Sequence, residues 1–183
     1  MMDRLEALAM RADAEVIFDE KTVQAAVDRV GDEICARLTE AYPLVLCVMT
    51  GGVVFCGQLL TRLQFPLDFD YLHATRYGAE NEGGKLAWRA APWKSVKGRT
   101  VLVVDDILDE GITLAAVRHS LLQQGASEVL VAVLADKAHG RPKPIAADFV
   151  GLSVPDRFVF GCGMDAGGAW RNLPAIYAKK ESA

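Results

Sequence analysis

Three aspartates stand in one short stretch, Val101-Leu102-Val103-Val104-Asp105-Asp106-Ile107-Leu108-Asp109-Glu110-Gly111-Ile112-Thr113-Leu114. Carboxylates accept hydrogen bonds from sugar hydroxyls and are hard ligands for Mg²⁺. Neighbouring strand-end residues point to different sides, so Asp105 and Asp106 are expected to serve different partners. Gly111 permits a compact turn. The amides of Asp109-Glu110-Gly111-Ile112-Thr113 then form a nest for an anion at the start of the next helix, with the Thr113 hydroxyl as a further donor. Acids beside an anion site are compatible when the ligand itself carries hydroxyls, a phosphate and bound Mg²⁺.

Those residues need a scaffold, and the flanking pattern supplies one. Val101–Val104 is an apolar, mostly β-branched run, which reads as a strand buried on both faces. The acids therefore lie at the carboxyl end of a central strand, where open α/β sheets bind their ligands. The helix after them closes at Gly125. Further buried strands are expected at Leu44–Met49 and Glu128–Ala135, with weaker ones at 14–18, 66–73, 148–152 and 175–178. An amphipathic helix runs from Asp19 or Glu20 to about Tyr42, where Pro43 stops it. Thr50-Gly51-Gly52 joins the second strand to a helix and lets backbone approach a phosphate. Between Ala74 and Lys97 the pattern dissolves into a polar, glycine-rich segment with a weak strand around Leu86–Arg89, as in a flexible hairpin or lid. Alternating strands and helices predict a single α/β domain with a mostly parallel central sheet flanked by helices.

Bulk properties narrow the class. A chain of 183 residues, 51% of them hydrophobic, forms one globular domain with a proper core. A net charge of −4 with interspersed signs leaves no footprint for nucleic acid or an acidic membrane. Cys35, Cys47, Cys56 and Cys162 have neither paired nor metal-ligand spacing, as expected of free thiols in a reducing compartment. The first ten residues carry acids and lack the apolar core of a signal peptide, and no apolar run approaches membrane-spanning length. A cytoplasmic protein is expected. There is no Walker loop and no Gly-x-Gly-x-x-Gly.

An apolar strand, two acids, two apolar residues and Asp-x-Gly-x-Thr closely resemble the 5-phosphoribosyl-1-pyrophosphate (PRPP) signature of type I phosphoribosyltransferases. Lys137, Arg141, the block Pro155–Asp165 and Trp170-Arg171-Asn172-Leu173-Pro174 resemble the hypoxanthine-guanine branch of that family. The resemblance implies the family's fold across residues 1–183, with a mobile lid at about 74–97. It also implies a small purine-binding hood built from about 137–183 together with the N-terminal segment. The implied activity is Mg²⁺-dependent transfer of phosphoribosyl from PRPP to hypoxanthine or guanine, giving IMP or GMP and pyrophosphate. A regulator with reduced catalysis, or an enzyme preferring xanthine, are the alternatives.

The implied roles follow the motif. Asp105 and Asp106 would bind ribose hydroxyls, directly or through Mg²⁺ and water, and residues 109–113, including Glu110, Gly111, Ile112 and Thr113, the 5′-phosphate. Asp109 would be the general base at purine N7. Lys137 would meet the 6-oxo group, Phe158 would stack on the ring, and Arg157 and Val159 would complete the purine site. Asp165 would bind a second Mg²⁺, while Thr50, Gly51, Gly52, Arg76, Tyr77 and Arg171 would serve pyrophosphate. Homodimers or homotetramers are implied as well. Three positions depart from the family pattern: Glu110 where Thr is commonest, Arg76 in place of a small hydroxyl residue, and Thr50 where some relatives are basic.

Overall fold

The computed structural model describes residues 2–76 and 86–180. Its core is a six-stranded sheet in the order β4-β3-β2-β5-β6-β7. The strands are β2 (Leu44–Val48), β3 (Asp68–Arg76), β4 (Leu86–Ala90), β5 (Thr100–Leu108), β6 (Glu128–Ala138) and β7 (Phe149–Pro155). All neighbours are parallel except β3 and β4, whose antiparallel pairing runs to Arg76↔Leu86. The polar segment from 74 to 97 is thus entered and left along one edge ribbon. Its middle, residues 77–85, lies outside the described residues.

The apolar runs are continuous because both faces of the sheet are covered. Leu102 and Val104 of β5 pack with α2 (Glu20–Leu38) and α3 (Val53–Leu60), whereas Val101 and Val103 pack with α4 (Ile112–Gln123). Helix α2 ends at Leu38, short of the expected Tyr42. The chain needs a turn before Pro43, and Tyr42 takes a left-handed φ of 42°.

A second, three-stranded sheet forms a small hood. It joins β1 (Ala14–Phe18) antiparallel to β9 (Ile176–Lys179), which pairs with β8 (Val159–Phe160). Helix α1 (Arg4–Ala12) begins with a reciprocal cap between Asp3 and Glu6. The Trp170 indole donates to the Ala7 carbonyl at 2.8 Å, which ties α1 to the hood. Among the described residues no helix is long and apolar enough to cross a membrane.

Buried Asp70 in β3 accepts from the amides of Tyr71, Trp93 and Lys94 at 2.8, 2.6 and 2.8 Å. Satisfying a buried carboxylate this way pins the far end of the 74–97 segment to the base of the sheet edge.

Candidate active site

Strand β5 continues past its apolar run to Leu108, so Asp105 and Asp106 belong to the strand and do not follow it. Both line one cavity of about 590 Å³ at the carboxyl end of the sheet, and Asp106 alone of the two also lines the smaller hollow beside it. They are also close enough that each perturbs the other. Burial and the neighbouring Asp106 charge push the Asp105 carboxyl well above the ordinary range. Burial also raises Asp106, against the opposing pull of hydrogen bonds and of Arg171. The backbone contributes: the Asp106 amide donates to Asp105 Oδ1 at 2.9 Å, and the Ile107 amide donates to Asp106 Oδ1 at 2.8 Å.

Glycines let three chain segments meet around these acids. A Cβ on Gly51 would lie 2.1 Å from Asp106 Oδ2, and one on Gly163 would lie 2.1 Å from the Gly51 carbonyl oxygen. The turn after β2, the end of β5 and the turn after β8 can therefore touch only because both positions lack a side chain. Gly51 and Thr50 line the cavity. Gly52 does not serve as expected, for its amide donates to the Val48 carbonyl at 3.0 Å and so is not free for an anion. Instead it allows α3 to start against β5, where a Cβ would stand 2.7 Å from the Val104 carbonyl oxygen.

The acidic loop completes the cavity wall with Asp109, Glu110, Gly111, Ile112 and Thr113. Gly111 caps α4 in the left-handed region, φ 76°. The first amides of that helix have no acceptor within it, which leaves them available to an anion. Glu110 is exposed, although it lines the cavity.

Asp109 has left the strand and meets a cation. Lys137 Nζ, from β6, donates to its Oδ2 at 2.6 Å, and the lysine side chain retains only 14% of its exposure. Beside this pair lies a second hollow of about 200 Å³, lined by Phe158, Val159, Met164 and Asp165. Asp106, Ile107, Asp109 and Lys137 line both spaces. Phe158 is half-exposed, so an aromatic face remains available to a ligand there.

Arg171 bridges the acids of the two spaces. Its guanidinium donates to the Gly163 carbonyl at 2.6 Å, pairs with Asp165 at 2.5 Å and lies 3.9 Å from Asp106. The other Asp165 oxygen accepts from the Gly168 amide at 2.7 Å. Arg157, expected at the purine, points elsewhere: it pairs with Glu15 at 2.7 Å and donates to the Lys179 carbonyl at 2.5 Å. It fastens the edge of the hood, because β1 and β9 bring those partners within its reach. Arg76 ends β3, and Tyr77 lies outside the described residues, as does the lid contact expected of it.

A family model described as the phosphoribosyl transferase domain matches residues 14–166. The chain belongs to the phosphoribosyltransferase family. A hypoxanthine-guanine phosphoribosyltransferase of Bacillus subtilis is 33% identical over 169 residues, covering 91% of this chain and 94% of that protein. A hypoxanthine-guanine-xanthine phosphoribosyltransferase of Tritrichomonas foetus is also 33% identical, over 100% of this chain and 96% of that one. Among solved structures, a hypoxanthine phosphoribosyltransferase of Staphylococcus aureus superposes with a TM-score of 0.88 at 27% identity. That match covers 94% of this chain and 95% of the other. The fold of these phosphoribosyltransferases is a single α/β domain with a mostly parallel sheet, as this chain's periodicity predicts.

The donor set fits Mg²⁺ at Asp105 and Asp106. Two hard carboxyls, both raised by burial and Asp105 also by the Asp106 charge, are what a divalent cation would relieve. Among the described residues no group of three or more His, Cys, Asp or Glu side chains could hold a metal ion. Such a cation would take the rest of its shell from water and ligand, as Mg²⁺ usually does. Asp165 fits less well, since both of its oxygens are already engaged.

One lining residue carries no sequence signal: His73, which sits where β3 reaches the cavity. Arg141 and Asp156, from stretches that carry the family resemblance but with no role expected of either, also line it. His139 and Lys143 grip the acidic loop from outside the lining. Only the register of β3 and the course of the 139–147 loop bring them there.

Proposed function

We propose that the chain transfers the 5-phosphoribosyl group of PRPP to hypoxanthine or guanine in a Mg²⁺-dependent reaction, forming IMP or GMP and pyrophosphate. The observation that carries this reading is the Asp109–Lys137 pair at the junction of the two spaces. A 6-oxopurine presents an oxo acceptor next to an N7–H donor. Entering between the pair, it gives Lys137 an acceptor and Asp109 a donor, so neither group is left unpaired. Adenine would set an amino donor against the ammonium. Sites built on such polar matches reject mismatched analogues by about 10⁴–10⁵.

As the purine bonds to C1 of the ribose and pyrophosphate leaves, Asp109 takes the N7 proton. A positioned general base contributes roughly 10²–10⁴ in rate. Phe158 stacks on the ring. The carboxyls of Asp105 and Asp106 receive the ribose hydroxyls and would hold the cation. The amides at the start of α4 and the Thr113 hydroxyl hold the 5′-phosphate. Thr50, Gly51 and Arg171 face the pyrophosphate side, with the Gly51–Gly163 approach keeping bulk out. Bound Mg²⁺ would offset the charge gathering on the leaving group. The segment 74–97 acts as the lid, supported by its entry along a ribbon whose His73 and Ala74 line the cavity. Its closure would keep water from the developing cation at C1.

The test is product formation from PRPP and Mg²⁺ with hypoxanthine, guanine, xanthine and adenine in competition. IMP and GMP are the expected products; no nucleotide product at all overturns the reading. Tight nucleotide binding without turnover would favour a regulator. The xanthine named for the Tritrichomonas relative gives that base a place in the assay.

A further inference from the structure

Lys143 lies outside the cavity lining, yet its ammonium is fully committed. Nζ donates to the Leu108 carbonyl at 2.9 Å and to the Lys137 carbonyl at 2.7 Å, and pairs with the Asp136 carboxylate. An ammonium has three protons, and all three are spoken for. The side chain retains 15% of its exposure.

The two carbonyls are not arbitrary. The β5–β6 ladder ends at the register pair Leu108↔Asp136. Beyond it the strands part, and the next residues are Asp109 and Lys137, whose side chains form the pair at 2.6 Å. Lys143 bridges the strands where backbone rungs have stopped, through the peptide oxygens immediately before Asp109 and after the Lys137 Cα. His139 holds the other side of Asp109. The Arg141 amide donates to His139 Nδ1 at 3.1 Å, so the neutral ring carries its proton on Nε2, which lies 3.1 Å from the Asp109 carbonyl oxygen. The same loop is stiffened by Pro142 and Pro144 around Lys143. It also abuts the phosphate end of the site: a Cβ on Gly111 would meet Ile145 Cγ2 at 3.1 Å and Pro144 Cδ at 3.6 Å.

We propose that Lys143, assisted by His139, is a positioning residue that sets the Asp109 carboxylate against Lys137 by clamping the backbone on both sides of the base. This rests on the reading of Asp109 as the general base. Asp136 neutralises the lysine charge, so the clamp supplies geometry and not field. Proton transfer is sensitive to the placement of the base, whereas the three hydrogen bonds of Lys143 go to Leu108, Lys137 and Asp136 and none to Asp105, Asp106 or α4.

The experiment is a kinetic cycle on the full chain with Lys143→Met, Lys143→Arg and Asp109→Asn. Lys143→Met should lower kcat with hypoxanthine about tenfold or more while the KM for PRPP stays within about twofold, and Lys143→Arg should recover part of the loss. In the Asp109→Asn background, adding Lys143→Met should change kcat less than about twofold, because the clamp then has no base to place. Unchanged kcat in a folded Lys143→Met protein, or full multiplication of the two losses, overturns the proposal. If Lys143→Met does not fold, His139→Ala carries the same cycle with smaller factors, and multiplicative losses there are equally decisive against it. The general-base reading fails separately, if Asp109→Asn alone keeps the wild-type kcat.

Discussion

Two carboxylate arrangements stand a few residues apart on one stretch of chain and behave oppositely. Asp105 and Asp106 are held inside β5, one beside the other, and burial drives their carboxyls toward the neutral form. Asp109 lies past the strand end, half-exposed, with a lysine ammonium at 2.6 Å. The residue type is the same; what differs is how closely the fold brings a cation. The acid pair has only Arg171, 3.9 Å from Asp106 and shared with Asp165, which leaves room for a cation from outside. Asp109 has an internal cation that, on the proposed reading, a purine replaces on both sides. Charge supply thus separates the proposed sugar half of the site from the proposed base half.

The sharpest break in that comparison is Asp109→Asn. Turnover should fall by about 10²–10⁴ while PRPP affinity, measured by calorimetry, stays near wild type. Equal losses in both would assign Asp109 to the sugar half.

Next is Lys137→Met, which strips the base half of its cation. The KM for hypoxanthine should rise about tenfold or more in steady-state assays, and discrimination against adenine should weaken. Because Asp109 is partly exposed and solvent-screened, the cost in stability should be only about 0.5 kcal/mol by denaturant titration.

The acid pair makes a pH-dependent forecast. Carboxyls raised by folding stabilise the native state below their unfolded pKa, and this contribution is lost as pH rises through the raised folded value. The apo protein should therefore lose that contribution toward neutral pH, where Mg²⁺ can replace protons. Thermal melts should show a Mg²⁺-induced gain in Tm that grows as pH is raised and disappears in acid. A gain independent of pH would mean the cation binds elsewhere.

The smallest effect expected is from Asp105→Asn. The amide can still accept from the Asp106 N–H, and the like-charge repulsion is gone, so the apo Tm should hold or rise by about 2 °C. The Mg²⁺ response should shrink in the same variant. A large drop in apo Tm would contradict the account of a strained acid pair.

Much of the scaffold was legible because its signals are local. A β-branched run, a glycine after it and a helical stripe each report on a few neighbouring residues, and β1, β2 and α4 fall where those patterns end. The helix α2 boundary was less legible, since the turn before Pro43 competes with helix propensity over several residues. For the site, the acidic stretch announced itself by charge density alone. Arg157 shows the opposite case: the residue sits in a motif, but Glu15, distant in sequence, claims its guanidinium. Gly52 shows another, for its amide is consumed by the turn that the glycine makes possible.

By itself the sequence determined that three aspartates would crowd the end of a buried strand, ahead of a glycine-started helix. Those facts are set by composition and periodicity along the chain. Only the tertiary structure decided which of the aspartates would touch a protein cation directly, as Asp109 touches Lys137, and which would have one only at a distance, as Asp106 has Arg171. Strand order brings β6 beside β5, and a loop beyond β6 returns Lys143 and His139 to the Asp109 backbone. Coulomb interactions and burial depend on distances through space, and no spacing along the chain encodes them.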